Sequence, residues 1–265
     1  MSAEVTKALV IQHEDECPPA WFGRWFRASG LDYDVVLGHR GEQVPATLGS
    51  YVALVVLGGE MGAHDDESCP WLTPTKALIR HTVENDGAFL GICLGHQLAG
   101  AALGGEVIVN PNGQAKGLTV VSRTSAGEAD ALTKAIRPGA LAVQWNDDVV
   151  WRLPEGAVEL ATAPDGTVQA ARFGERAWGV QFHPEAGAEV FDSWTGSAKG
   201  DEEQREQQRK AAELIRAADE QLQADWRPLA ERFAEIVMAT THGSVGHNLR
   251  LNGPQPAAER TYGST

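Results

Sequence analysis

Residues 52–57 read VALVVL, six apolar residues in succession. A strand built from them has no face to offer water, so both faces must be covered, as in a parallel sheet with helices above and below it. Runs of the same kind flank it at residues 7–12 (KALVIQ), 33–37 (YDVVL) and 87–92 (GAFLGI). Helical stretches lie between them. Residues 18–29 place Trp21, Phe22, Trp25 and Phe26 at spacings that share one buried helix face, and residues 75–84 read as another helix. Strands alternating with helices predict βαβ units, and right-handed crossovers put the helices on both faces of the sheet.

After residue 104 the pattern changes. Short strand-like runs at 106–110, 118–122, 141–145, 158–163, 167–173 and 177–182 are separated by turn signals such as Asn112-Gly113, Pro138-Gly139 and Asp165-Gly166. Several are expected to pair antiparallel and extend the parallel core, giving one α/β domain over residues 1–200. From 201 to 240 the chain is rich in Ala, Glu, Gln and Arg and reads as a helical extension. Pro228 is expected to kink or split it, and Leu229, Phe233, Ile236 and Val237 fall on one stripe. Residues 241–265, rich in Gly, Pro and Ser, read as a flexible tail.

The segment with the most chemical content is LGICLGHQ, residues 90–97. A buried strand runs straight into Cys93, which is flanked by Gly91 and Gly95 and followed by a helix. This is a G-x-nucleophile-x-G elbow with cysteine as the nucleophile. It holds the sulfur at a helix N-terminus, where the dipole and free N–H groups favour thiolate. A lone cysteine in a glycine turn would read as a structural thiol; the spacing around Cys93 favours the elbow. A thiolate needs a base, and the base needs an orienting group. GVQFHPE, residues 179–185, supplies both. His183 and Glu185 are two apart, so in extended chain they point to one side and Glu185 can fix the imidazole tautomer. For the developing oxyanion the candidates are the N–H of Leu94 and that of Gly59, in the glycine loop that closes the third strand.

These motifs, in the order Gly58-Gly59, G-I-C-L-G-H-Q and Q-F-H-P-E, resemble the triad-type class I glutamine amidotransferases over about residues 5–195, with the GMP synthase glutaminase-like subgroup as the nearest pattern. The resemblance implies a flavodoxin-like three-layer α/β sandwich with a mainly parallel central sheet and an antiparallel extension. It implies hydrolysis of a γ-glutamyl amide by Cys93 as nucleophile, His183 as general base and acid, and Glu185 as orienting carboxylate. Gln97 matches the position that contacts the glutamine substrate. The run containing Trp145 and Asn146 matches a segment beside the substrate pocket. The chain departs from the family at Asn146, where many relatives carry His, in the loop Glu60-Met61-Gly62-Ala63-His64-Asp65-Asp66, and at residues 112–117. Those departures leave the acyl group and the leaving amine open.

The expected ligand is a small molecule, glutamine or a γ-glutamyl compound, with no metal and no organic cofactor. Two other readings stay open: a glutaminase subunit that feeds ammonia to a separate synthetase, and a non-catalytic binding or regulatory module. The formal charge of −14 argues against nucleic acid or an anionic membrane as the main partner. Three cysteines cannot all pair, and residues 1–14 lack the pattern of a secretory leader, so a cytoplasmic location is expected. His64, Asp65 and Asp66 read as a hydrogen-bonded loop rather than a metal site. Cys17 and Cys69 read as structural or surface thiols, His96 as packed, and His242 and His247 as tail residues. The charge run at 201–216 reads as a solvated helix face, with a homodimer contact left open.

Overall fold

The computed structural model describes residues 5–196 and 202–248. In chain order its first half contains β1 (Lys7–Gln12), α1 (Ala20–Ala28), β2 (Asp32–Leu37), β3 (Ala53–Val56), α2 (Leu72–Glu84), β4 (Ala88–Ile92) and α3 (Leu94–Ala102). There follow β5 (Glu106–Val109), β6 (Ala115–Arg123), α4 (Ser125–Ala129), β7 (Ala140–Asn146), β8 (Asp148–Arg152), β9 (Val158–Thr162), β10 (Val168–Gly174) and β11 (Ala177–Val180). The chain then continues through α5 (Ala188–Gly196), α6 (Glu202–Ala217) and α7 (Asp219–Asn248).

The central sheet runs β2-β1-β3-β4-β11-β10-β9-β6-β7. The pairs β1–β2, β1–β3, β3–β4 and β4–β11 are parallel, and β11–β10, β10–β9, β9–β6 and β6–β7 are antiparallel. The architecture is the expected one, a parallel core carrying an antiparallel extension. Residues 52–57 behave as their composition requires. Ala53, Val55 and Leu57 enter the apolar core on one face, and Leu54 and Val56 enter the core on the other. Helices α1 and α7 cover the first face with Trp21, Phe22, Phe26, Trp226 and Phe233. Helices α2 and α3 cover the second with Leu72, Leu78, Ile79, Leu94 and Leu98.

The structure adds elements that the sequence reading did not separate. Strand β8 follows β7 after a single residue and leaves the main sheet to pair antiparallel with β5. The turn-forming residues Asn146-Asp147-Asp148 mark that switch, but which strand β8 then pairs with is not recorded in the local pattern. The short helix α5 also went unread.

Two expectations for the C-terminal third are corrected. The helical segment breaks at Ala218, between α6 and α7, and Pro228 lies inside α7. Proline removes one backbone hydrogen bond. Here Leu222, Trp226, Leu229, Ala230 and Phe233 are fully buried on both sides of it, so packing holds the helix continuous. The helix also runs on to Asn248, so the first part of the expected tail, including the backbone of His242 and His247, is helical. No proline interrupts the chain there until Pro254. Residues 249–265 of that tail lie outside the described residues.

Helix α6 shows the solvated face that was expected. It is laced by exposed pairs such as Glu202–Arg205 and Glu206–Arg209, and it buries only Gln208, Ala212 and Ile215. Helix α7 belongs to the core. Phe233 stacks against Phe26 of α1 at 5.8 Å between ring centroids, and the Trp226 indole N–H donates to the Leu141 carbonyl of β7 at 2.7 Å. No helix among the described residues is long and apolar enough to cross a membrane. Phe233→Ala should cost roughly 3–5 kcal/mol in urea denaturation, whereas Leu214→Ala, at an exposed position of α6, should stay within about 0.5 kcal/mol. A small loss at Phe233 would mean that α7 is an appendage rather than part of the core.

Candidate active site

Strand β4 delivers Cys93 to the C-terminal edge of the sheet. The residue occupies the unusual conformation φ +49°, ψ −104°, between the last residue of β4 and the first of α3. Such backbone persists only where surrounding structure holds it. The Cys93 N–H donates to the Val180 carbonyl of β11 at 2.8 Å, and the Gln97 N–H returns to the Cys93 carbonyl at 3.1 Å. Gly95 makes the turn possible, because a Cβ there would stand 2.1 Å from the Val56 carbonyl oxygen. The N-terminus of α3 therefore presses directly on the backbone of β3. Its first N–H groups have no helical partner and face the region of Cys93.

Strand β11 lies beside β4 in parallel register, Val180 opposite Ile92. The chain leaving β11 therefore passes the same sheet edge, and His183 arrives near Cys93. Its position is fixed from a second direction. The antiparallel half of the sheet brings β7 back to this edge, where the Val143 carbonyl accepts the His183 N–H at 2.9 Å. His183 Nδ1 lies 2.8 Å from Glu185 Oε1. Cys93, His183 and Glu185 are 4%, 2% and 1% exposed. Gly58 leaves room for the imidazole, since a Cβ there would come within 2.7 Å of His183 Cε1 and 3.6 Å of Cys93 Cβ.

The electrostatics follow from this packing. Burial by itself would lower the His183 pKa. The negative charges of Cys93 and Glu185, with the hydrogen bonds to both, outweigh that effect and raise it to about 10. His13 and His96 show the opposite result, for burial without a close carboxylate lowers both to about 3. His96 packs on Phe173, with ring centroids 5.4 Å apart, as a packed residue should.

A cavity of about 720 Å³ opens onto Cys93 and His183, and Gly59, Gln97, Trp145 and Asn146 also line it. Leu94 sits behind it, its side chain fully buried. Of the residues predicted for the site, Gly59, Cys93, Gln97, Trp145, Asn146 and His183 line this cavity, and Glu185 reaches it only through His183. Gln97 is committed to the protein itself, its amide donating to the Asp148 carbonyl at 2.9 Å and to Gln181 Oε1 at 3.3 Å.

Several neighbours were not foreseen. Gln181 places its amide nitrogen 3.7 Å from Cys93 Sγ, linking the sulfur to Gln97. Trp194 of α5 covers His183, with ring centroids 4.5 Å apart, and is anchored by its indole N–H on the Glu16 carbonyl at 2.9 Å. Gln181 lies inside the Q-F-H-P-E motif and could have been flagged there; Trp194 has no local signal. Cys17, read as a structural or surface thiol, is buried and lines the cavity, donating to Glu14 Oε1 at 2.9 Å. Burial first, and then the nearby Glu14 carboxylate, raise its thiol pKa well above the ordinary range. In the loop after β3, Asp65 accepts the Gly62 N–H and Asp66 binds Thr73 and Lys76. If the Glu185 carboxylate sustains the imidazolium, Glu185→Gln should move the His183 titration to lower pH in an NMR titration. An unchanged titration would remove Glu185 from that role.

The model of the family described as glutamine amidotransferase class-I matches residues 26–194. Among curated proteins, a glutamine-hydrolyzing GMP synthase subunit of Sulfolobus acidocaldarius is 39% identical over 40% of this chain and 57% of its own length. Gamma-glutamyl peptidase 5 of Arabidopsis thaliana is 28% identical over 54% of this chain and 57% of its own. The chain thus spans less than two thirds of either relative. A crystal structure of a glutamine amidotransferase from Thermotoga maritima superposes with a TM-score of 0.77 at 28% identity, covering 88% of this chain and 99% of that one.

Proposed function

The chain belongs to the class-I glutamine amidotransferase family, and on that premise we propose that it hydrolyses the γ-amide of glutamine or of a γ-glutamyl compound through Cys93, His183 and Glu185. The observation that carries this reading is the convergence of the three side chains at one sheet edge, two of them opening onto one cavity. Cys93 Sγ attacks the side-chain amide carbon. The N–H groups of Gly59 and Leu94 are the donors assigned to the oxyanion that forms. His183, held as imidazolium, passes its proton to the amide nitrogen as the C–N bond breaks, and ammonia or an amine leaves. His183, now neutral, takes a proton from water, whose oxygen attacks the thioester. Glutamate is released and the thiolate returns. Glu185 holds the imidazole through Nδ1 and leaves the other ring nitrogen to exchange protons with the sulfur and substrate. These steps call for no metal and no organic cofactor.

Similarity to the Sulfolobus GMP synthase subunit favours a second reading, in which the same hydrolysis supplies ammonia to a separate synthetase. The two readings differ in what the isolated chain does. A hydrolase works alone, whereas a synthetase-dependent subunit is nearly idle until its partner is added.

Cys93→Ala should lower glutamate release from γ-glutamyl amides by at least about a thousandfold; equal rates for mutant and wild type would rule out the nucleophile. The proton on His183 is required for leaving-group departure, so activity is present below its pKa and lost as pH rises through it. The alkaline limb of kcat/KM should accordingly fall near pH 10. Glu185→Gln should pull that limb to lower pH, and a limb that stays in place would separate it from His183.

A further inference from the structure

The cavity around Cys93 and His183 has an uneven charge. Among the described residues six carboxylates line it, those of Glu14, Glu16, Glu60, Asp65, Asp147 and Asp148, and no lysine or arginine does. Among the described residues none of the six forms an ion pair with a basic side chain. Their partners are few and neutral. Glu14 accepts the Glu60 N–H at 3.3 Å, Asp65 the Gly62 N–H at 2.8 Å and Asp147 the Gln114 amide at 3.1 Å. Asp65 and Asp148 face each other across Gly62, each with Oδ2 3.3 Å from where a Cβ on that glycine would lie. Burial, then repulsion from Asp147 and Asp65, raise the Asp148 carboxyl pKa, and the opposing pull of His64 does not cancel them.

Two further observations point to what belongs there. Asn146 also lines the cavity and is only 6% exposed. Its Nδ2 donates to the Asp148 carbonyl at 3.0 Å, which fixes the amide orientation, and its Oδ1 is a buried acceptor with no partner. Such an acceptor is costly unless a donor reaches it. The rings of Trp145 and Trp194 line the same space, and aromatic faces attract organic cations. Lys116 stacks over Trp145 at 5.6 Å but is not among the lining residues. A metal ion fits less well, because no three His, Cys, Asp or Glu among the described residues converge closely enough to hold one. A cavity of about 720 Å³ suits a ligand larger than a single amino acid.

We propose that the carboxylate-lined part of this cavity is a leaving-group subsite for an organic ammonium, so that the preferred substrates are γ-glutamyl amides of diamines or polyamines. The inference rests on the hydrolase reading and adds the leaving amine to it. Cys93 Sγ bonds to the γ-carbonyl carbon, the C–N bond breaks, and His183 protonates the departing nitrogen. The diamine leaves with its distal ammonium against the acidic wall, and water releases glutamate from the thioester.

The test uses the full chain and four substrates: glutamine, and the mono-γ-glutamyl amides of a four-carbon diamine, of butylamine and of 4-aminobutyrate. The last three share a length and differ in terminal charge. The kcat/KM for the diamine amide should exceed that for the butylamine amide by about tenfold, with the aminobutyrate amide slowest. The preference should shrink with added salt and fall roughly fivefold on Asp65→Asn with Glu60→Gln. Calorimetric titration of the same amides into Cys93→Ala protein reads the subsite without turnover. Cys93-dependent hydrolysis with no charge preference overturns the subsite and leaves the hydrolase reading standing. No hydrolysis, but preferential binding of the diamine amide, supports the subsite and removes the hydrolase reading. Equal binding of all the amides overturns the subsite whatever the rates.

Discussion

The geometry of the site depends on one backbone hydrogen bond, from the His183 N–H to the Val143 carbonyl. It closes the antiparallel half of the sheet onto the end of the parallel half. It acts with the Gln181 N–H on the Gln169 carbonyl and the Trp21 N–H on the Glu185 carbonyl, which hold the same segment on either side, and it is the bond made by His183 itself. The bond in turn needs β7 in place. Strand β7 is held by α7, through the Trp226 indole on the Leu141 carbonyl and through Asp225, a buried carboxylate that binds Arg137 and the Leu141 N–H. The C-terminal helix therefore takes part in shaping the site although none of its described side chains lines the cavity.

The same closure accounts for the electrostatics. A histidine with no close carboxylate goes neutral on burial, as His13 and His96 do. His183 is buried as deeply but sits between a sulfur and a carboxylate, so its protonated form is favoured. A buried charge is tolerable only when paired and hydrogen-bonded. The 2.8 Å contact with Glu185 provides that pairing, and the strained turn at Cys93 keeps the sulfur within reach. The rest of the cavity carries the opposite imbalance, with carboxylates facing open space and no lysine or arginine lining it among the described residues.

Much of this was legible in the chain. The apolar run at 52–57 fixes a doubly covered strand because it has no polar alternation. The elbow around Cys93 is legible because a strained turn demands small neighbours at set positions, and Gly91 and Gly95 supply them. The pairing of His183 with Glu185 is legible because alternation in extended chain is strictly local. Residues whose roles come from packing were less visible. Trp194 meets His183 from a helix with no sequence motif, and Cys17 reaches the cavity from the loop before α1. Propensity marks Pro228 as a place for the helical region to split, whereas the break falls at Ala218 and buried contacts on both sides of Pro228 keep α7 continuous there.

By itself the sequence determined the strand-and-helix alternation, the nucleophile elbow and the histidine–carboxylate pair, since each depends on neighbours within a few residues. Only the tertiary structure decided how these pieces meet. The parallel pairing of β4 with β11 brings Cys93 and His183 to one edge, and the return of β7 adds Trp145 and Asn146 to it. The six carboxylates come from separate stretches of chain, spread over residues 14–148, and no local pattern records that they share a cavity. Local chemistry is written in the order of residues, whereas the charge of a pocket depends on which loops the sheet gathers at one end.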